Sequence, residues 1–428
     1  MYRWRQTLHA TLVVVVLIAG SEHAAAQAIP PAVIDPTAEF FDDTVVHELK
    51  LWINSRDWET LKTNFLSNAY YPADFQWKTT TVRNVGIRSR GNGSRSGFKP
   101  GLRVDIDRYS STQKFLGVKS FVLRNNTQDP SNLHEFLSMQ FFRRMGLVAP
   151  REAFARLFVN NQYAGLYTIV ESVDKSFLTR QFADNDGYLF DYDYPADAAP
   201  YYFEDRGLDP AAYVPLPFKP ETHENNSRPD VIADMVRTIN TSSAAVFRTA
   251  MTEFIDLPQF LRHVATEVFL ADPDGFLGNW GMNNFFMYRP EFSNQFRLIV
   301  WDKSQAFIDG PAYPIWHNIS DVPEANRNRL MVGALQYDDL RELYLETLLE
   351  AGRSASEVPV DAVPGDLRGW LEREIERANA LIAPSVLADT LKPYTNEEFL
   401  LSIEALRFFA RERTPFVNAD VAASRAHP

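Results

Sequence analysis

Between Val45 and Val170 apolar residues return at every second position in six short runs, whereas beyond residue 228 they return every three to four. Side chains alternate faces along a strand and share a face at helical spacing, so such a chain folds its first part as strands and its last as helices. The strand-like runs are 45–53, 81–89, 102–106, 120–123, 153–159 and 165–170, with helical stretches between them at 55–65 and 132–145. In the second of these, Leu133, Phe136, Leu137, Phe141 and Met145 form an apolar stripe, Asp129 or Ser131 caps the start, and Gly146 stops it. Helical patterns follow over 228–270, where Pro258 opens the last helix, and around 335–352, 364–383 and 396–412, broken by Pro359, Pro364, Pro384 and Pro393. Strands first and helices later define an α+β fold.

The ends of the chain and its composition narrow the classes further. Arg3 and Arg5, the apolar run from Thr11 to Ala19 and the triplet Ala24-Ala25-Ala26 read as a secretory signal over residues 1–26. That run is too short to span a bilayer, and no later segment is apolar enough, so an exported chain without a membrane span is expected from about Gln27. There are no cysteines, which excludes disulfides, thiolate metal sites and cysteine nucleophiles together. A formal charge of -12 argues against a broad nucleic-acid footprint; an anionic ligand must be met by a local basic pocket.

The chemistry concentrates in residues 265–310. Asp272 and Asp274 lead into a loop carrying Asn279, Asn283 and Asn284, an aromatic strand runs to Tyr288, and a second strand ends at Trp301-Asp302. Protein kinases use an Asp that accepts the substrate hydroxyl proton, an Asn five positions on that holds a metal, and a later Asp that bridges metal and phosphates. Asp274, Asn279 and Asp302 reproduce that order and the first interval. The same side chains also suit an Asx-rich loop that caps backbone N–H groups. Upstream, Gly91 and Gly93 sit in a turn where backbone N–H groups can approach phosphate oxygens, with Lys99 or Arg103 in reach, although a G-x-G in a hairpin also serves as a plain tight turn. Glu135 lies at the edge of its helix stripe, where it can pair with a strand cation or face solvent. Residues 184–210 read as an irregular loop with a tyrosine-rich packing face, since Asp184, Asp186 and Gly187 lack the spacing of a calcium loop.

Five phrases carry a resemblance: VGIRSRGNGS (85–94), FVLRNNTQDPSNLHEFLSMQFFRRMGL (121–147), LFVNNQYAGLYTIVESVDKSFL (157–178), MNNFFMY (282–288) and FRLIVWD (296–302). In that order they resemble the spore coat protein H (CotH) family of exported atypical protein kinases. The resemblance implies a two-lobe, protein-kinase-like fold: an N-terminal arm and small, mainly β, nucleotide-binding lobe over 27–178, and a larger helical lobe over 179–428 with the catalytic loop and a C-terminal extension. It also implies transfer of phosphate from ATP, with Mg²⁺ or Mn²⁺, to Ser or Thr of surface or envelope proteins outside the cytoplasm, in the periplasm or at the cell surface. Asp274 then orients or deprotonates the acceptor hydroxyl, Asp302 is the metal carboxylate, and Asn284 by the family or Asn279 by spacing is the metal amide. Gly91, Gly93, Lys99 and Arg103 serve the phosphates, Glu135 holds their cation, and Glu171 lies between the lobes near the adenine.

Two positions depart from the family. Ser304 stands where a second acid is common, and Pro100-Gly101 after Lys99, with Asp105, thin the basic strand. They keep open a catalytically weak or inactive scaffold or assembly protein of the envelope or coat, as well as transfer of AMP rather than phosphate.

Overall fold

The computed structural model describes residues 35–193 and 199–426; the secretory-signal segment lies outside them. From Pro36 onward the chain is one compact unit of mixed α and β structure. Its first part is built from β1 (Val46–Ile53), α1 (Ser55–Thr63), β2 (Tyr71–Trp77), β3 (Thr80–Ser89), β4 (Leu102–Asp105), β5 (Ser120–Arg124), α2 (His134–Arg144), β6 (Glu152–Val159) and β7 (Gln162–Glu171). The seven strands close into a barrel in the order β1-β2-β3-β4-β5-β7-β6. Every pairing is antiparallel except the closing one, in which β1 runs parallel to β6 from Val46↔Phe154 to Leu51↔Val159.

Alternation explains what each side of the barrel does. Leu49, Phe75, Leu102, Val104, Phe121 and Leu123 point inward and, with Phe40 and Phe115, form a core of edge-to-face aromatic rings. On β5 the alternate positions Val122 and Arg124 therefore face outward, toward the rest of the chain. Asn160 and Asn161 make the β6–β7 turn in the left-handed conformation.

The remainder comprises α3 (Lys175–Phe182), β8 (Tyr188–Tyr192), β9 (Phe218–Pro220), α4 (Pro229–Thr241), α5 (Phe247–Met251), α6 (Leu257–Phe269), β10 (Phe285–Arg289), β11 (Arg297–Val300), α7 (Arg329–Leu335), α8 (Asp338–Ser356), α9 (Trp370–Leu387) and α10 (Asn396–Ala426). A second sheet of order β11-β10-β8-β9 lies among these helices. Two readings are corrected. The stretch 184–210 is not wholly irregular, because β8 pairs on both sides, with β10 and β9, and draws Tyr192 into the core. Nor does Pro384 break a helix: it lies inside α9, and Pro415 lies inside α10. A helical proline costs about 3 kcal/mol in isolation, and the buried Ile382 and Val386 flanking Pro384 hold the helical turn through it.

Between barrel and second sheet, Val122, Val170, Phe286, Ile299 and Trp301 form a small apolar cluster. It brings the end of β5 against the end of β11, and the α2 N-terminus is fixed beside them because Asp129 accepts from the His134 N–H at 2.8 Å. No described helix is long and apolar enough to cross a membrane.

Candidate active site

Arg124 ends β5 and is the centre of the site. Its guanidinium donates to Asp302 Oδ2 at 2.7 Å, ion-pairs through Nε with Glu135 of α2, and lies over the Trp301 ring at 5.4 Å. Arg90 lies 5.6 Å from that ring. Burial opposes charge on Arg124, but Asp302 and Glu135 overrule it and hold the group protonated. Asp302 is 27% exposed; burial alone would raise its pKa, yet Arg124, Arg90 and the Ser304 hydroxyl keep it below the usual carboxylate range. Burial pushes Glu135 up to about 7 against the pull of Arg124. Behind it Glu152, at the start of β6, is buried with no hydrogen-bond donor on either oxygen among the described residues, and burial and the Glu135 charge drive its carboxyl well upward.

Across from Arg124 is the loop between α6 and β10. Asp274 accepts from Asn283 Nδ2 at 3.0 Å and from Asn284 Nδ2 at 2.9 Å. The Asn284 carbonyl accepts from the Trp301 N–H at 3.1 Å, so the Asn-bearing loop and the Asp302 arm are directly bonded. Asn284 and Asp302 both hold left-handed backbone, φ 60° and 44°, conformations that Asn and Asp tolerate better than most residues. Burial raises the Asp274 carboxyl, Asn283 opposes this, and the charges of Asp272 and Asp302 add to the rise.

The other expected residues lie elsewhere or have other partners. Asn279 is exposed and its amide oxygen meets His317 Nε2 at 2.6 Å, whereas Asn283 and Asn284 are the asparagines at Asp274. Lys99 does not meet Glu135: it is fully buried, donates to Asp389 at 2.7 Å and lies over the Tyr167 ring. The Pro100-Gly101 step turns the chain into β4 only after Lys99, so its side chain enters the barrel's C-terminal flank and Arg124 holds Glu135 instead. Arg103 faces outward on β4 and donates to Ser120 Oγ at 3.1 Å. The Glu171 carboxylate is held by ion pairs with Arg151 at 2.8 Å and Arg180 at 2.5 Å.

The turn with Gly91, at φ 111°, and the exposed Gly93 is strapped down by Asn125 Nδ2 on the carbonyls of Ser94 and Lys99. It is Arg90, Ser94 and Gly101 of that loop that line a narrow crevice with Arg124, Glu135 and Ser304. Sequence reasoning missed Arg124 and Lys303, and named Asn283 only as a member of the loop. The only local sign of Arg124 is a cation closing an apolar strand eleven residues before Glu135.

A divalent ion would have to be met by mixed donors, since no group of three His, Asp or Glu side chains is arranged for a metal among the described residues. The donors fit a hard cation: the carboxylate of Asp302 and the side-chain amide oxygen of Asn284, whose NH₂ is spent on Asp274.

The Inner spore coat protein H of Bacillus subtilis (strain 168) is 27% identical over 254 residues, 59% of this chain and 67% of that protein. Invasin CotH3 of Rhizopus delemar is 24% identical over 229 residues, 51% of this chain but 37% of its own length. Among solved structures, the Helicobacter pylori proinflammatory kinase CtkA superposes at TM-score 0.31 with 10% identity, covering 79% of this chain and 97% of its own. The HipA, HipB and operator DNA complex of Shewanella oneidensis MR-1 superposes at 0.36 with 11% identity, covering 78% and 68%. Both superpositions are loose. The family described as CotH kinase protein matches residues 87–417, well over half of the sequence, and this chain belongs to that family.

Proposed function

We propose that the chain is an exported protein kinase that transfers the γ-phosphate of ATP to Ser or Thr hydroxyls of surface or envelope proteins. The observation that carries this reading is the Arg124 bridge between Glu135 and Asp302, set opposite Asp274 and Asn284. In protein kinases a strand cation paired with a helix Glu, together with a metal-binding Asp, forms the phosphate-handling half of the site. In this reading the barrel, within 27–178, is the small nucleotide-binding lobe and 179–428 the larger lobe, which adds Ser304 to a crevice lined otherwise by the small lobe.

Asp302 and Asn284 would hold Mg²⁺ or Mn²⁺, which when bound neutralises charge on the phosphates. Arg124 adds a fixed positive charge on the same side. Asp274, oriented by Asn283 and Asn284, accepts the proton of the acceptor hydroxyl as its oxygen forms a bond to the γ-phosphorus and the bond to ADP breaks. Arg90, Ser94 and the Gly91 turn face the phosphate chain from above. The raised Asp274 carboxyl suits a base that must take up a proton.

The test is labelling by γ-labelled ATP with Mg²⁺ or Mn²⁺ of the protein itself or a co-exported substrate. Asp274→Asn and Asp302→Ala should each reduce labelling by about 100-fold or more; undiminished labelling by Asp302→Ala would reject the metal assignment.

A second reading has its own observation: Ser304, where the family commonly has an acid, donates to Asp302 Oδ1 at 3.1 Å and occupies an oxygen a metal would use. In that reading the chain is an envelope scaffold. Absence of any rise in melting temperature across an ATP and Mn²⁺ concentration series would favour it, because a ligand bound only by the native state must stabilise it.

A further inference from the structure

Beneath the candidate site lies a buried charge cluster that touches neither the crevice nor solvent. The Lys303 ammonium is fully buried and ion-pairs with Glu267 near the C-terminus of α6 and, at 2.9 Å, with Asp272. Each carboxylate spends its other oxygen on the Asp274 loop. Glu267 accepts from the Phe276 N–H at 2.6 Å, and Asp272 accepts from the Asp274 N–H at 3.0 Å. Gly275 packs directly on this cluster, where a Cβ would come within 2.4 Å of the Glu267 carboxyl.

Lys303 is also the residue after Asp302. The left-handed backbone at Asp302 sends consecutive side chains to opposite sides, Asp302 up to Arg124 and Lys303 down into the cluster. One ammonium thus ties the Asp302 arm to the turn that presents Asp274. Loop and arm are also joined by the Trp301 N–H on the Asn284 carbonyl, by the Phe307 N–H on the Leu270 carbonyl and by the adjoining β10–β11 ladder, in which Phe285 pairs with Val300.

We propose that Lys303 is a positioning residue that sets the separation of Asp274 and Asp302 through Glu267 and Asp272. The role rests on the phosphotransfer reading; the tie between the two segments does not. Removing only the lysine would strand two buried carboxylates and threaten the fold, whereas replacing a whole buried ion cluster by neutral groups is often tolerated. The variant to use is therefore Lys303→Met/Glu267→Gln/Asp272→Asn in the full chain.

Phosphoryl transfer, ATP affinity and amide hydrogen exchange over 272–284 are measured side by side with wild type. We expect kcat to fall about 100-fold, the loss that an ångström of misplacement brings, with KM for ATP changed less than about threefold. The Asn279 and Asn283 amides, bonded to the Pro273 and Gly275 carbonyls, should exchange at least about tenfold faster. Wild-type kcat and wild-type exchange in a folded variant would overturn the proposal. If wild type transfers no phosphate, the kinase reading fails and the exchange result alone decides whether Lys303 holds the loop: faster exchange upholds the tie, unchanged exchange removes it. A variant that does not fold is replaced by Lys303→Arg, which keeps the charge but lengthens the clamp; unchanged exchange and kcat there would likewise reject the proposal.

Discussion

Arg124 ion-pairs with Asp302 and Glu135 at once, and the buried acids around it give the protein a pH signature. Glu135 is pushed up to about 7 by burial, and Glu152 behind it is raised well above its usual value by burial and by the charge of Glu135. Below the ordinary glutamate range both carboxyls are protonated whether the chain is folded or not. As pH rises from there toward 7, the unfolded chain releases those protons while the native state retains them, so these groups lower stability across that window. Melting temperature measured against pH should therefore fall more steeply over about pH 4.5 to 7 in wild type than in Glu152→Gln, which takes one buried acid out of the pair; equal slopes would count against a shared proton there. Asp274 and Asp302 stand out in the sequence as carboxylates flanking an Asn-rich loop, whereas spacing favours Asn279 and the family resemblance alone points to Asn284. Arg124 and Lys303 do not stand out. A strand-end arginine and a lysine after an aspartate have no pattern that announces their partners, Asp302 being 178 residues from Arg124 and Glu267 36 residues from Lys303.

Elements with one buried face, such as β1, β4 and α4, were legible because alternation or helical spacing there is a direct record of packing, although β2, with the same alternation, was not read as a strand. What sequence could not give was barrel closure through the parallel β1–β6 pairing, or the pairing of β8, whose acidic and aromatic neighbours mask its alternation. The length of α10 was also hidden, because the proline within it reads as a stop. That helix supplies Arg413, fully buried, whose guanidinium donates to the carbonyls of Val268 and Phe269 at 2.7 and 2.8 Å and to those of Pro311 and Tyr313 at 2.9 and 2.5 Å. It caps the C-terminus of α6, where carbonyls lack intrahelical partners and the helix dipole favours a cation. Arg413→Met would take a donor from all four carbonyls, of which, among the described residues, Val268 alone keeps another, the Ala271 N–H at 3.1 Å. We expect a loss of about 3 kcal/mol or more in urea unfolding, far above a surface substitution such as Arg425→Met, where the guanidinium is partly exposed and its ion pairs with Glu342 and Glu346 are screened by water.

Two buried cations connect the barrel to the rest of the molecule, and they do different work. Arg124 reaches across to Asp302 at the mouth of the crevice, while Lys99 reaches across to Asp389 in the connection between α9 and α10. Asp389 also accepts from the Leu166 N–H of β7 at 3.1 Å, and it can come so close only because Gly165 carries no side chain, a Cβ there lying 2.3 Å from the carboxyl. Lys99 therefore fastens the C-terminal helices to the barrel wall rather than facing a nucleotide. Breaking a buried pair from one side leaves an uncompensated charge, so Lys99→Met should cost about 3–5 kcal/mol. Lys99→Met/Asp389→Asn removes that charge, and its amide can still accept one of the two backbone N–H groups, so most of the loss should return. The double variant should then bind ATP with Mn²⁺ as wild type does, whereas Arg124→Met should lose that binding while keeping the barrel. Nucleotide titration of the two variants followed by melting temperature separates the roles, and loss of ATP binding in a well-folded Lys99→Met/Asp389→Asn protein would return Lys99 to the nucleotide site.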